Sequence, residues 1–428
     1  MDFSILHPAD QLVMMMERIY SYGMTTTSGG NLSVLDENGD IWITPGSVDK
    51  GSLTRDDIIR VRPDGTVIGN HKPSSEFPVH KKIYETRPDI KAVLHAHPPA
   101  LVAFSIIRKI PETRLVPNVA QICGSVDFAV YDVPGSIGLS EKIASKFGEG
   151  HNMVMLENHG VFVGSDSIFG AFKAFETFDF CARLQIEARK VGRISALSDA
   201  QVALSKEKQH ARMDEFVNKN MTSEEKAARR DMVKFIKRAY RQQLFTSTQG
   251  TFSQRLSDGT FIITPYAMDR KYIEPEDIVK IHGLWCEQGK LPSRSVLLHK
   301  RIYDDHPEIN SIIIAHSPHI MAFAVSDAVF DSRTIPESYI MLRDVKKLPF
   351  GVSFMDHALV SSTISHMTPI VLLENECVLV TGESLLNAFD KLEVMEYSAK
   401  AILNTAGLGD IVKISDEEVS ELRSSFGF

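Results

Sequence analysis

The sequence predicts an α/β protein made of two tandem copies of one domain. Its 428 residues suffice for two or three domains that each bury a core, and 43% hydrophobic with 24% charged residues is ordinary for a globular protein. Short apolar segments of strand length alternate with amphipathic segments of helical length, a pattern typical of α/β or α+β domains. Several segments of the first half also recur in the second half. The pattern alone leaves open whether each sheet is parallel or antiparallel.

The internal repeat has a nearly constant spacing. Gly30–Ser33 is echoed 220 positions later by Gly250–Ser253. The other matched pairs of segments are Ile43–Pro45 with Ile263–Pro265, Pro73–Tyr84 with Pro292–Tyr303, Leu156–Asn158 with Leu373–Asn375, and Leu197–Asp199 with Ile414–Asp416. Because this period is far longer than a solenoid repeat, the sequence predicts two whole domains, 1–218 and 222–428.

Each copy is predicted to begin with the same elements. Opening amphipathic helices lie near Ala9–Tyr22 and near Glu225–Gln243, and each leads through a turn rich in Gly, Thr and Ser to a strand. In the first copy a helix is then predicted near Val79–Glu85. It leads to Ala92–His97, an apolar and partly β-branched segment that stops at Pro98 and is therefore predicted as a strand.

The remaining elements of the first copy follow from periodicity and turn residues. Met153–Leu156 and Val161–Val163 flank Glu157–Gly160, which predicts two strands joined by a tight turn. Ile168–Arg189 carries phenylalanines at helical spacing, so it is predicted as a helix whose aromatic stripe packs in the core. The polar and charged stretch Ser205–Arg230 is predicted as the connection between the domains, partly helical.

The chemically richest segment of the chain is Lys72–Phe104, which contains Glu76, His95 and His97. Residues two apart on a strand project from the same face, so the two imidazoles point the same way, as ligands of one metal ion must. A core strand with two hydrogen-bonded histidines is the alternative explanation of His-x-His alone. His159, in the predicted turn, offers a third imidazole. Three neutral histidines with an open fourth position are the ligand set of a catalytic zinc site.

Five motifs of the first copy identify its relatives. They are Ser28–Asn31, Thr44–Ser47, Ser74–Glu76, His95–His97 and Asn158–Gly160. Together they resemble the class II aldolase/adducin family, whose members include L-fuculose-1-phosphate aldolase, L-ribulose-5-phosphate 4-epimerase and methylthioribulose-1-phosphate dehydratase. The resemblance covers both halves of the chain. It implies that each half is an αβα layered domain with a central, mostly antiparallel sheet.

The resemblance also implies a ligand set and a reaction. His95, His97 and His159 would hold one divalent metal ion per chain, Zn2+ or another, and Glu76 would be the acid–base group. Epimerases of the family carry aspartate at this place, so Glu76 favours the aldolase-like branch. A bound dication polarises ketone and hydroxyl oxygens and stabilises the enediolate of carbon–carbon cleavage. The carboxylate then moves the proton at the reacting carbon.

Three turns of the chain match the family's phosphate cradle. Their hydroxyls, a side-chain amide and backbone N–H groups can donate hydrogen bonds to phosphate oxygens. The predicted phosphate-binding residues are Ser28, Asn31, Gly46, Ser47, Ser74 and Ser75. Ordinary turn chemistry explains any one of these turns equally well. Three of them beside a metal constellation favour a sugar phosphate as the small-molecule substrate.

The second copy is predicted to be degenerate and non-catalytic. Ser295 stands where the first copy has its carboxylate, and Ile314 stands in place of the first imidazole. Glu376 replaces the third imidazole, so only His316 persists. Family members commonly form rings of four with active sites between neighbouring subunits. The resemblance therefore implies a homo-oligomer, a dimer of tandem chains that forms a four-lobed ring.

Composition excludes other classes of partner. A net charge of −8 gives no electrostatic footprint for nucleic acid or an anionic membrane. No apolar run approaches the roughly 20 residues that span a bilayer, and the amino terminus lacks the pattern of a secretory signal. Cysteines without paired spacing argue against a disulfide framework and for a reducing cytoplasm; they are Cys123, Cys181, Cys286 and Cys377.

The sequence thus predicts a cytoplasmic, metal-dependent lyase that cleaves a phosphorylated ketose to dihydroxyacetone phosphate and an aldehyde. Two tyrosines that the fuculose-phosphate enzyme uses are missing, since Pro117 occupies one matching position and the tail Ser424–Phe428 has no tyrosine. Decarboxylation or dehydration of a related sugar phosphate therefore stays open, and epimerisation is disfavoured by Glu76. A non-catalytic, adducin-like assembly protein is the alternative from another class. It is disfavoured because the first copy keeps the three histidines and the carboxylate.

Overall fold

The protein, described here by a computed structural model covering residues 3–427, divides into two compact units. The first unit contains residues 3–113 together with Asn118–Arg183. The second unit contains Arg114–Pro117 and residues 184–427. The predicted limits 1–218 and 222–428 describe the sequence repeat and stay a prediction.

The helices begin and end close to the predicted boundaries. Pro8–Ser21, Phe77–Thr86 and Ile168–Ala188 confirm three helices of the first copy, and Ser223–Arg241 confirms the opening helix of the second. In chain order the helices are α1 (Pro8–Ser21), α2 (Phe77–Thr86), α3 (Pro99–Ile106), α4 (Pro117–Cys123), α5 (Ile137–Gly148), α6 (Ile168–Ala188), α7 (Asp199–Ser205), α8 (Ser223–Arg241), α9 (Val296–Asp305), α10 (Pro318–Ala324), α11 (Pro336–Leu342), α12 (Val352–Met355), α13 (His357–Thr363), α14 (Leu385–Asn404) and α15 (Asp416–Phe426). Within residues 3–427, no helix combines the length and the apolar content needed to cross a membrane.

The first unit is organised around one mixed sheet. Its strands are β1 (Asn31–Leu35), β2 (Ile41–Ile43), β3 (Ile59–Val61), β4 (Val67–Ile68), β5 (Ala92–Ala96), β6 (Val126–Ala129), β7 (Met153–Leu156) and β8 (Val161–Ser165). They lie in the order β4-β3-β2-β1-β5-β8-β7-β6. Every neighbouring pair is antiparallel except β6 with β7, which is parallel. A central, mostly antiparallel sheet is therefore confirmed.

The second unit repeats this sheet and adds one strand to it. Its strands are β9 (Asp214–Phe216), β10 (Thr251–Arg255), β11 (Phe261–Ile263), β12 (Val279–His282), β13 (Trp285–Glu287), β14 (Ser311–Ala315), β15 (Val345–Leu348), β16 (Ile370–Leu373) and β17 (Cys377–Gly382). Its strands lie in the order β15-β16-β17-β14-β10-β11-β12-β13, which matches the first sheet strand for strand when the first sheet is read from β6 to β4. The additional strand, β9, pairs in parallel with β13 at the edge. The stretch predicted as a partly helical connection thus contains an edge strand as well.

The core of the first unit holds the site-bearing strands in place. Side chains of α2 and α5 pack against one face of the sheet, where Val79 and Phe147 meet Val93 of β5 and Phe162 of β8. Because side chains alternate along a strand, Leu94 points to the opposite face, and it is fully buried as well. A strand buried on both faces is a rigid support, and β5 carries the first of the candidate ligands at its end.

Candidate active site

Three imidazoles meet at one end of β5. His95 lies in β5, His97 is the first residue after it, and His159 lies in the turn between β7 and β8. Pairing of β5 with β8 sets His95 opposite Phe162 and brings this turn beside the end of β5. The ring centroids lie 4.6 Å (His95–His97), 4.9 Å (His95–His159) and 4.8 Å (His97–His159) apart. One nitrogen of each ring lies within 4.8 Å of those of the other two.

The turn that carries His159 depends on two special backbone positions. Asn158 has φ of +54°, a left-handed conformation that asparagine tolerates better than most residues. A Cβ at Gly160 would lie 2.5 Å from the backbone oxygen of Ala96 and 2.6 Å from Cδ2 of His97. Only glycine therefore allows the turn to pack this closely against the end of β5. The sequence Asn-His-Gly thus places the third imidazole against the other two.

His95 is held in one orientation and one tautomer. Its Nδ1 donates to the backbone oxygen of Val161 at 3.0 Å, and its ring stacks on Phe162 with centroids 4.1 Å apart. The other nitrogen, Nε2, then carries a lone pair. It lies 3.0 Å from Nε2 of His97 and 3.2 Å from Oε2 of Glu76. A backbone carbonyl that fixes the tautomer in this way is the usual support of a metal-ligating histidine.

Burial favours the neutral form of all three imidazoles. Burial, reinforced by the other two imidazoles, lowers the pKa of His97 to about 3. Burial also lowers the pKa of His95 well below its ordinary value and lowers that of His159. The contact of His95 with Glu76 is thus a carboxylate facing a nitrogen lone pair, not an ion pair. Three electron-pair donors converge here, so the donor set fits a divalent metal ion.

Glu76 is placed by the start of α2, which it immediately precedes. Its side chain is buried, and Oε2 accepts a hydrogen bond from Nδ2 of Asn31 at 2.7 Å. Its other oxygen, Oε1, is buried and accepts no hydrogen bond from residues 3–427. One oxygen of the carboxylate is therefore anchored while the other stays available for a proton.

Backbone hydrogen bonds join the three turns that are predicted to bind phosphate. The N–H of Lys50 donates to the oxygen of Thr27 at 2.8 Å, and the N–H of Gly46 donates to the oxygen of Lys72 at 3.1 Å. The structure therefore brings together the turns around residues 27–30, 45–50 and 72–75. The phosphate-binding role itself stays a prediction.

The individual residues of these turns differ in their surroundings. Ser28, Ser47 and Ser75 are exposed, and Gly46 is half-buried. Ser74 is buried, and its Oγ accepts from the N–H of Glu76 at 3.3 Å. Asn31 differs most from the prediction, because its amide is hydrogen-bonded to Glu76 through Nδ2 and to His80 through Oδ1. The structure thus links Asn31 to the carboxylate.

Comparison with known proteins identifies the family. The family model described as "Class II Aldolase and Adducin N-terminal domain" matches residues 10–186 and again residues 230–403. The chain belongs to this family. The class II aldolase domain is thus present twice, which confirms the tandem duplication.

Several class II aldolase relatives match a single copy. A 5-deoxy-D-ribulose 1-phosphate aldolase of Bacillus thuringiensis serovar kurstaki is 30% identical over 189 residues, 43% of this chain and 86% of that protein. An L-fuculose phosphate aldolase of Methanocaldococcus jannaschii is 31% identical over 176 residues, 41% of this chain and 94% of that protein. A 3-oxo-tetronate 4-phosphate decarboxylase of Pectobacterium atrosepticum is 29% identical over 178 residues, 41% of this chain and 81% of that protein. A solved L-fuculose 1-phosphate aldolase is 30% identical, with a TM-score of 0.42, and covers 47% of this chain and 95% of its own.

In the second class II aldolase domain the ammonium group of Lys208 lies beside Glu376, which occupies the position that matches His159. Glu376 accepts from the N–H of Gly351 at 2.8 Å and from the hydroxyl of Ser353. The Nζ of Lys208 lies 3.6 Å from its Oε2. His316 is buried, and burial together with Lys208 lowers its pKa to about 4. The internal cation compensates the carboxylate that replaced an imidazole.

One further group of potential ligands exists among residues 3–427. Asp127, Glu149 and His151 lie close enough together to share an ion. Lys146 already contacts two of them, with Nζ 2.9 Å from Asp127 and 3.1 Å from Glu149. This group is thus an ion-pair cluster on the surface of the first unit.

Sequence reasoning missed His80 and Lys50 as residues of the site. Both are fully buried beside it, and burial lowers the pKa of Lys50 to about 8. The Nζ of Lys50 donates to the oxygen of Pro45 in the predicted phosphate turns. A signal was present in the repeat, because His299 and Arg270 preserve an imidazole and a cation at the matching positions.

Proposed function

We propose that the chain is a metal-dependent class II aldolase that cleaves a phosphorylated ketose to dihydroxyacetone phosphate and an aldehyde. His95, His97 and His159 would hold one divalent ion, Zn2+ or another. The observation that carries the proposal is the convergence of three imidazoles, each with one nitrogen within 4.8 Å of a nitrogen of the other two, with Glu76 Oε2 3.2 Å from Nε2 of His95. Relatives named 5-deoxy-D-ribulose 1-phosphate aldolase and L-fuculose phosphate aldolase support it.

The residues divide the chemistry between binding and proton transfer. When bound, the ion would supply Lewis acidity at the ketone and hydroxyl oxygens of the substrate. Glu76 gives a proton to the carbon that keeps the electron pair of the broken bond, through Oε1, which has no hydrogen bond inside residues 3–427. This proton balances the one that the neighbouring hydroxyl group loses as it becomes the aldehyde. Its Oε2 stays fixed by Asn31. We propose that Ser28, Gly46, Ser47, Ser74 and Ser75 form the phosphate cradle, with Asn31 at its inner edge.

The proposal is tested with the purified full chain and a panel of ketose 1-phosphates. A coupled assay for dihydroxyacetone phosphate, with and without chelation of the metal, reports cleavage. We expect release of dihydroxyacetone phosphate from at least one ketose, and its loss on chelation. A metal-loaded chain that cleaves none of the panel would refute the aldolase assignment.

Decarboxylation of a 3-oxo sugar-acid phosphate is the second candidate. It is favoured by the similarity to 3-oxo-tetronate 4-phosphate decarboxylase, at 29% identity. The same residues suit it, because loss of CO2 also leaves an electron pair on the carbon beside a ketone. With a 3-oxo-tetronate 4-phosphate as substrate, loss of CO2 and protonation of the carbon left behind also give dihydroxyacetone phosphate. Release of CO2 with no aldehyde product would therefore select this reaction.

We further propose that the chain is a cytoplasmic homo-oligomer, a dimer whose four class II aldolase domains form a ring. The family resemblance supports the ring, and four unpaired, buried cysteines support a reducing compartment. The mass in solution tests the assembly by sedimentation or light scattering. A monomer at micromolar concentration would refute it.

A further inference from the structure

A chain of buried hydrogen bonds leads from the core to the candidate acid–base group. The hydroxyl of Tyr84 lies 2.6 Å from Oγ of Ser33, which lies 2.6 Å from Nδ1 of His80. The Nε2 of His80 lies 2.5 Å from Oδ1 of Asn31, whose Nδ2 lies 2.7 Å from Oε2 of Glu76. All five residues are buried. The four residues that these hydrogen bonds link to Glu76 do not include any of the three histidine ligands.

The direction of these hydrogen bonds follows from the carboxylate of Glu76, at which they end. Glu76 can only accept, so Asn31 donates through Nδ2 and accepts through Oδ1. His80 must then donate from Nε2, which leaves Nδ1 to accept from Ser33. Burial lowers the pKa of His80 to about 4, which agrees with a neutral ring that has one donor and one acceptor. Only one arrangement of protons satisfies every link, so the amide of Asn31 is locked with its N–H toward the carboxylate.

The second copy contains the inner half of the same chain. There the hydroxyl of Tyr303 lies 2.7 Å from Oγ of Ser253, which lies 2.7 Å from Nδ1 of His299. The outer half is different, because Thr251 replaces the asparagine and contacts Ser293 at 2.9 Å. Nε2 of His299 is buried and has no hydrogen-bond partner among residues 3–427.

The imidazole of His80 makes two hydrogen bonds with different roles, as the matching His299 shows. Its bond to the serine, with the tyrosine beyond, occurs in both copies and therefore belongs to the fold. Its bond to the asparagine occurs only where a carboxylate is present. The buried Nε2 of His299 has no partner among residues 3–427 where the carboxylate is absent, so the outer link accompanies the carboxylate and is not needed for the fold.

We propose that His80 is a positioning residue that holds Asn31, and through it Glu76, in the orientation needed for proton transfer. His80 does not touch the substrate in this scheme. The inference rests on the proposed role of Glu76. It adds that the carboxylate is oriented by a buried imidazole outside the ligand trio.

The test compares matched substitutions in the two copies of the full chain. His80→Leu removes the donor to Asn31, and His299→Leu removes the matching imidazole where no carboxylate depends on it. We expect both variants to lose a similar amount of thermal stability and to keep the metal content of the unchanged chain. His80→Leu should lower kcat by roughly tenfold to a hundredfold with little change in KM, because a displaced catalytic group costs about that much. His299→Leu should leave kcat unchanged.

Conservative variants keep the test decisive if His80→Leu folds poorly. His80→Gln restores a donor toward Asn31 and should recover most of kcat. Ser33→Ala removes only the hydroxyl that fixes the ring, and Ser253→Ala is its control in the second copy. Equal kcat for His80→Leu, Ser33→Ala and the unchanged chain would overturn the inference. So would an equal loss of kcat in His299→Leu.

A crystal structure of each variant separates this inference from the proposed function. In the unchanged chain and in His80→Gln we expect Asn31 Nδ2 to remain within hydrogen-bond distance of Glu76 Oε2. In His80→Leu we expect Asn31 to rotate and Glu76 to leave this position. If the unchanged chain cleaves no ketose phosphate, the proposed function fails, yet the structures still decide whether His80 positions Glu76. An unmoved Glu76 in His80→Leu would overturn the inference.

Discussion

Replacement of Glu76 by glutamine is the most direct perturbation of the proposed site. The change preserves the size of the side chain and removes its ability to accept a proton. Oε2 accepts from Asn31 at 2.7 Å, so the amide oxygen of glutamine must take that position. The amide NH2 then falls where Oε1 now lies, a buried place with no partner among residues 3–427.

The size of the effect follows from these two consequences. Loss of the acid–base group lowers kcat by roughly 10²- to 10⁴-fold, or about 3–5 kcal/mol of barrier. The buried and unpaired NH2 costs about 1–3 kcal/mol of folding free energy. The imidazoles are untouched, because Nδ1 of His95 keeps its bond to Val161. We therefore expect metal binding to remain largely intact.

The assay measures kcat, metal per chain and the denaturant midpoint for Glu76→Gln beside the unchanged chain. Ser295→Ala, at the matching position of the second copy, is the control and should leave kcat unchanged. A kcat for Glu76→Gln within a few-fold of the unchanged chain would remove Glu76 from its acid–base role. Loss of the metal together with activity would instead make Glu76 a ligand.

Three further predictions concern the metal, the turn and the degenerate position. Gentle purification should yield about one divalent ion per chain, and two ions per chain would contradict a degenerate second copy. His159→Ala should lose the ion on dialysis, because a catalytic site rests on three protein ligands. Gly160→Ala would place a Cβ 2.5 Å from a backbone oxygen of β5. We therefore expect a loss of about 1–3 kcal/mol of folding free energy and weaker metal retention, and an unchanged unfolding midpoint would contradict this. Lys208→Met removes the ammonium 3.6 Å from Oε2 of Glu376, so we expect a loss of about 1–3 kcal/mol with kcat unchanged. Lys206→Met, on an exposed side chain, should stay within about 0.5 kcal/mol, and equal effects of the two variants would contradict the pairing.

The parts of the fold that sequence predicts best are those that local patterns determine. The turn at Glu157–Gly160 and its flanking strands follow from apolar runs interrupted by Asn and Gly, and the structure has strands at Met153–Leu156 and Val161–Ser165. The helix Ile168–Ala188 follows equally from its stripe of phenylalanines. The alternation of His95 with apolar neighbours was enough to predict that the histidines project together from the end of a strand.

The features that sequence did not predict depend on distant partners. β9 consists of Asp-Glu-Phe, which has no strand signal of its own, and it forms because β13 offers a free edge. The amide of Asn31 was predicted to bind phosphate because its motif lies in a serine-rich turn. Its bond to Glu76 joins residues 45 positions apart, and no local pattern reports such a contact. Lys208 likewise lies in a stretch that reads only as a polar connection.

The duplicated chain is an internal experiment on which residues the fold needs and which the site needs. Both copies bury an imidazole bonded to a serine, and the first bears the carboxylate link while the second lacks it. The second sheet keeps the strand order of the first without the carboxylate and with one of three imidazoles, so these groups are not required for folding. Buried polar groups that a fold does not require carry a cost in desolvation. Their retention in the first copy alone is therefore best explained by chemistry performed there.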